Sequence, residues 1–164
     1  MNPVQKRAFT TVHKGMSLTL KNDVIVVCNG QQVTAKALWD TGATGTVISE
    51  NIVRKLNLIA TGKNSMKTPS GEDIVNTYLV DIVLPNQVVV NNVIVCDSKI
   101  GDQGIDVLVG MNIITLGDFA VSNFHGSTVF SFRVPSVKKT DYVQEVKLEQ
   151  IIGPRHGQGK RKKK

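Results

Sequence analysis

From Met16 onward, apolar and polar positions alternate over short stretches, the period of half-buried strands. Met16–Leu20 alternates, and Asp23–Cys28 is a Val/Ile run that stops at Asn29-Gly30, a hairpin signal. Gln31–Trp39 reads as its return strand. Ser49 reads as the N-cap of a short helix through Lys55, with Ile52, Val53 and Leu56 on one side and Asn57 at its end. Ile59–Lys67 is polar, and Thr68-Pro69-Ser70-Gly71 carries turn chemistry. Ile74–Leu84 and Gln87–Cys96 read as two long strands joined at Pro85-Asn86. Ile105–Gly110 is an apolar run with a glycine stop, followed by a helix over Met111–Leu116. Phe119–Phe124 and Thr128–Val134 flank a second hairpin signal, His125-Gly126, and a weak helix is expected within 138–152. Short strands at short intervals with one or two short helices predict an all-β chain closed into a barrel.

At 164 residues the chain has room for one core. Residues 1–15 are polar without a period and read as a flexible N-terminal arm. The folded domain is expected over 16–136, and 137–164 reads as a C-terminal extension ending in a disordered Lys/Arg-rich tail. The net charge of +7 looks like a nucleic-acid signal until it is located. Residues 155–164 hold six basic and no acidic groups, and removing them leaves 14 basic against 13 acidic residues. A near-neutral body argues against nucleic acid as a partner, because one short arm binds weakly and with steep salt dependence. Cys28 and Cys96 belong to no metal-binding pattern and are expected as reduced thiols. The chain shows neither a signal-peptide pattern nor an apolar run long enough for a membrane span, so a cytoplasmic address is expected.

The chemistry concentrates at Asp40-Thr41-Gly42-Ala43. An apolar strand runs into Asp40, and a second one, Thr46-Val47-Ile48, leaves the turn. A carboxylate there is held on rigid backbone, with Gly42 expected to take a conformation closed to other residues. Hydrolysis of an unactivated amide by carboxylates needs two of them, one as base and one as acid. This chain has one such motif and no internal repeat; Asp97-Ser98-Lys99 lacks the glycine. A second chain is expected to bring the partner Asp.

Leu108-Val109-Gly110 then adds a hydrophobic-hydrophobic-glycine element before a helix. With Asp40-Thr41-Gly42-Ala43 and Thr46–Ser49 ahead of it, the chain resembles retropepsin-like aspartic proteases over residues 18–134. Its final hairpin is similar to those of the cellular and bacterial members. The resemblance implies a closed acid-protease barrel and an aspartic endopeptidase acting on peptides or proteins. It implies a homodimer in which Asp40 faces its twin across a shared water. Thr41 would bond across the axis, Gly42 would admit substrate backbone, and no metal or cofactor is implied. Thr68-Pro69-Ser70-Gly71 is the flap candidate, with fewer glycines than viral flaps. Thr44 and Met111 stand where viral members often carry an Asp–Arg pair, so both halves of that pair are absent together. The competing reading is a catalytically silent barrel of the same fold, used for dimerisation or peptide binding. Trp39 reads as packing, Asp106 as a local hydrogen-bonding residue, and His13, His125 and His156 as non-catalytic.

Overall fold

The computed structural model describes residues 6–68 and 71–152. In chain order the strands are β1 (Arg7–Val12), β2 (Leu20–Cys28), β3 (Gln31–Trp39) and β4 (Thr46–Ser49), followed by helix α1 (Glu50–Lys55). Next come β5 (Gly62–Thr68), β6 (Gly71–Leu84), β7 (Val88–Ser98) and β8 (Val107–Val109), then helix α2 (Met111–Ile114). The hairpin β9 (Asp118–Phe124) and β10 (Ser127–Val134) precedes helix α3 (Tyr142–Ile152).

Six strands close a barrel in the order β2-β3-β8-β4-β7-β6, and β2 returns to β6 through Ile25–Val83, Val26–Ile82 and Val27–Asp81. Alternation fills it: Val24 and Val26, Ala35 and Ala37, and Tyr78, Val80, Ile82 and Leu84 are buried, while their neighbours face outward or are half-buried. β5 hangs on β6 as a hairpin outside the closed ring. A separate three-stranded sheet, β1-β10-β9, packs on the barrel through an aromatic cluster. Trp39 lies nearly parallel to Phe119 at 5.3 Å and touches Phe130 and Phe132, with Phe9 against all three of Trp39, Phe130 and Phe132. Trp39 is therefore the packing residue its sequence position suggests, and its indole N–H donates to Asn22 Oδ1 at 3.0 Å.

Local signals set the corners. Asn29-Gly30 and His125-Gly126 both take left-handed φ at the two turn positions, the geometry that matches strand twist. The Ser49 hydroxyl accepts the Ile52 N–H at 3.4 Å to cap α1, and Asn57 (φ 47°) ends it.

Three expectations change. Arg7–Val12, assigned to a flexible arm over 1–15, forms β1: it lies antiparallel on β10 from Arg7–Val134 to Val12–Val129 and buries Phe9. Met16–Leu20 is not a strand of its own; Met16 and Leu18 are exposed, and β2 begins at Leu20. The polar stretch Ile59–Lys67 contains β5, whose ladder to β6 runs from Gly62–Thr77 to Thr68–Gly71 and needs no apolar face. Residues 153–164, with the basic tail, lie outside the described residues. Among the described residues no helix is long and apolar enough to cross a membrane.

Candidate active site

β3 ends at Trp39, and the next residue is Asp40. The Asp40 N–H donates to Val109 O at 3.0 Å, continuing the parallel pairing of β3 with β8 by one residue. Ala43 N–H closes the turn on Asp40 O at 3.3 Å. The carboxylate is then oriented from within its own loop, since Gly42 N–H donates to Asp40 Oδ1 at 2.7 Å. Asp40 is half-buried, while Thr41 and Gly42 are exposed. Thr41 makes no hydrogen bond among the described residues.

Gly42 corrects one expectation. Its φ lies outside the left-handed range, so conformational freedom is not what the position needs. Space is the requirement: a Cβ would sit 3.1 Å from Asp40 Oδ1, the atom that the Gly42 amide must reach.

Gly110 is held harder still. A Cβ there would lie 2.3 Å from Gly45 O and 3.0 Å from Ala43 O, inside hard-sphere contact with backbone. The Leu108-Val109-Gly110 element thus lies directly under the loop, with β8 between β3 and β4. Val109 is fully buried and Leu108 partly so. From there α2 grips the loop: Met111 N–H donates to Ala43 O at 2.8 Å, and Asn112 N–H to Thr44 O at 3.1 Å.

Two residues the sequence did not single out complete this grip. The buried Thr46 hydroxyl accepts the Gly110 N–H at 3.2 Å and donates to Asn112 Oδ1 at 2.7 Å. Neutral hydrogen bonds between Thr46, Gly110 and Asn112, with the backbone bonds to Ala43 and Thr44, hold loop to helix here. They fill the structural place of the ion pair that Thr44 and Met111 cannot make. Only the spacing of Thr46 and Asn112 from their neighbouring glycines could have pointed to them.

The other carboxylates nearby in sequence pattern have other tasks. Asp106 Oδ1 accepts from Ser49 Oγ at 2.9 Å, its backbone O accepts the Ser49 N–H at 2.8 Å, and its own N–H donates to Lys36 O at 2.8 Å. It joins β3, β4 and the approach to β8 rather than bonding locally. Asp97 accepts from Asn76 N–H, the Asn76 side-chain amide and the Tyr78 hydroxyl at 2.9–3.1 Å. Burial first, and then the bond to Asp97, raise the Tyr78 hydroxyl above its ordinary pKa. No carboxylate of the described residues shares a hydrogen-bond partner with Asp40. One chain therefore holds one positioned carboxylate.

Thr68 and Gly71 of the flap candidate close the β5–β6 hairpin, with Gly71 at φ 137°. Pro69 and Ser70 lie outside the described residues. Both cysteines are free; the Cys28 thiol approaches Leu79 O at 3.7 Å, and burial pushes the Cys96 thiol pKa up.

A family model described as gag-polyprotein putative aspartyl protease matches residues 24–115, more than half of the chain, and takes in the Asp40 loop, β8 and α2. The chain belongs to the retropepsin-like aspartic protease family. Among solved structures, this retropepsin-like chain is similar to a retropepsin-like aspartic protease from Rickettsia conorii. The two share 17% identity at a TM-score of 0.52, covering 82% of this chain and 99% of that one. That likeness supports the closed-barrel fold. Two further structures align at a TM-score of 0.42: a simian foamy virus (mac) protease, at 20% identity over 57% of this chain and 89% of that one, and the retroviral protease-like domain of Ddi1 from Leishmania major, at 12% identity over 73% and 95%. No curated protein matches the chain. Within this family the Asp-Thr-Gly-Ala loop is the acid-protease signature, and in this retropepsin-like chain it is Asp40–Ala43.

Proposed function

We propose that the chain is an aspartic endopeptidase that acts as a homodimer, with one Asp40 from each copy forming the dyad. The observation that carries this reading is the half-site itself. Asp40 is fixed by the Gly42 amide and the Val109 carbonyl, beside an exposed Thr41 that has no hydrogen-bond partner in its own chain. Two such loops meeting on a two-fold axis place like charges together. One carboxyl then keeps its proton while the other remains a base.

The ionised Asp40 takes a proton from a water held between the two carboxyls, and the water oxygen bonds to the peptide carbonyl carbon. The protonated Asp40 gives its proton to the carbonyl oxygen, forming a tetrahedral diol. Proton return to the amide nitrogen breaks the C–N bond and releases an acid and an amine. Thr41 hydroxyls bond across the axis, and the β5–β6 hairpin with its turn Thr68-Pro69-Ser70-Gly71 covers the bound peptide and excludes water.

The test is Asp40→Asn in the full chain, assayed against a peptide library alongside the unaltered protein. The amide is nearly isosteric and cannot act as the base, so cleavage is lost while circular dichroism and sedimentation stay unchanged. Cleavage by Asp40→Asn at the unaltered rate would remove Asp40 from the chemistry. A native chain that binds peptides and cleaves none would leave a binding module of the same fold.

A further inference from the structure

We infer that the outer edge of β9 is the surface on which two copies of this chain join, by antiparallel pairing of β9 with its own copy centred on Val121. The inference rests on the dyad reading for its purpose, and on the sheet geometry for its location.

The backbone direction along the hairpin is fixed on the page. Thr128 N–H donates to Gly15 O at 3.0 Å, and Thr128 O accepts the His13 N–H at 2.8 Å, so the Thr128 backbone faces the β1 side. Ser127, Val129 and Ser131, offset by one, face β9 and pair with Phe124, Ser122 and Ala120. The intervening residues Phe119, Val121 and Asn123 therefore aim their N–H and C=O groups away from β10. Among the described residues these backbone groups have no hydrogen-bond partner.

The other open edges are treated differently. Along β1, Arg7 donates to Gln87 O at 2.7 Å and Asn86 donates to Ala8 O at 2.8 Å, so the 85–87 turn covers that edge. β5 carries Lys63 and Lys67, the charges that discourage edge-to-edge pairing. β9 has no charge, proline or bulge from Phe119 to Phe124. Its one acidic residue, Asp118, is engaged by Arg133, Ser136 and the Val137 N–H. Val121, opposite the fully buried Phe130, is left 39% exposed, as an apolar residue at an uncovered edge would be.

A second copy fits this edge by symmetry. Val121 lies midway between Phe119 and Asn123, so a two-fold axis through a Val121–Val121 pair sets Phe119 of each copy against Asn123 of the other, with donors and acceptors matched. The same edge adjoins the half-site: Phe119 stacks on Trp39, the residue before Asp40. One continuous sheet would then run from β1 of one copy to β1 of the other, under two Asp40 loops.

The test uses the full chain with Val121→Lys and Val121→Glu, separately and mixed, followed by sedimentation equilibrium. Directly opposed like charges repel, so each variant alone loses the dimer at concentrations where the unaltered chain is dimeric, and the equimolar mixture restores it. Amide exchange on the unaltered chain reads the same edge without a substitution. Phe119, Val121 and Asn123 amides gain protection as protein concentration rises, while Ala120 and Ser122 are protected throughout. A Val121→Lys chain that dimerises as tightly as the unaltered one, or no gain at those three amides, overturns the interface and leaves the dyad reading standing. A dimer that forms through β9 and cleaves no peptide has the opposite meaning.

Discussion

Thr46 carries more of the Asp40 loop than its place outside the motif suggests. Its hydroxyl is the one group that reaches both the Gly110 amide and Asn112. Thr46→Val keeps the shape and removes the hydroxyl, leaving a buried amide unpaired. The expected loss is about 1–3 kcal/mol in urea unfolding, with the fold retained. An unchanged midpoint would mean that water replaces the hydroxyl. The motif was legible because Asp-Thr-Gly-Ala is short and unusual. Thr46 was not, because a β-branched residue opening a strand needs no further explanation. Asp118 gives a second residue-scale prediction. The Ser136 hydroxyl, then the Val137 N–H, then Arg133 hold its carboxyl well below the usual carboxylate range. A lowered folded pKa means stabilisation fully present above the unfolded value of about 3.9, draining as pH falls below it. Asp118→Asn should therefore flatten the acid limb of melting temperature against pH and leave its slope above pH 5 unchanged. A parallel downward shift at every pH would assign Asp118 a role without titration.

Among the elements, the β5–β6 hairpin depends most on a single anchor. β6 pairs with β7 as far as Thr77–Cys96 and then departs to pair with β5. At that departure the Asp97 side chain takes the Asn76 N–H that a ladder carbonyl would otherwise accept, together with the Asn76 amide and Tyr78 hydroxyl. Hydrogen bonds to a charged group contribute about 1.5–3 kcal/mol, so Asp97→Ala should speed exchange at the Asn76 amide by about tenfold or more. The amides of Val24 and Val26 in the barrel serve as the internal reference; equal acceleration there would mean global destabilisation instead. How far each element was legible follows from where its definition lies. β2, β3, β6, β7 and β10 carry their own Val, Ile and Phe alternation, and both Asn-Gly and His-Gly turns declare themselves. β1 and β5 are mostly polar, and the backbone of β10 or β6 defines them. Barrel closure between residues 25–27 and 81–83 leaves no local trace, because nothing in either strand names its distant partner.

At the scale of the whole molecule the chain is half of a machine, if its one Asp-Thr-Gly is to hydrolyse an amide. One positioned carboxylate per chain, and no repeat to supply another, make activity a property of the pair. Specific activity should then fall on dilution through the dimer dissociation constant, and recover on concentration. Mixing is the sharper test. With Asp40→Asn chains in ninefold excess and free exchange of subunits, random pairing leaves roughly one in ten native chains with a native partner. Activity per native chain should drop by about that factor, because a mixed dimer holds one ionisable carboxyl and lacks the acid–base partner. Two features separate this from dilution by inert protein. Poisoning requires time for subunit exchange, and it vanishes when the excess chain also carries Val121→Lys and cannot pair through β9. Full activity per native chain after complete exchange would show that a single Asp40 suffices, and would break the argument that joins the half-site to the dimer.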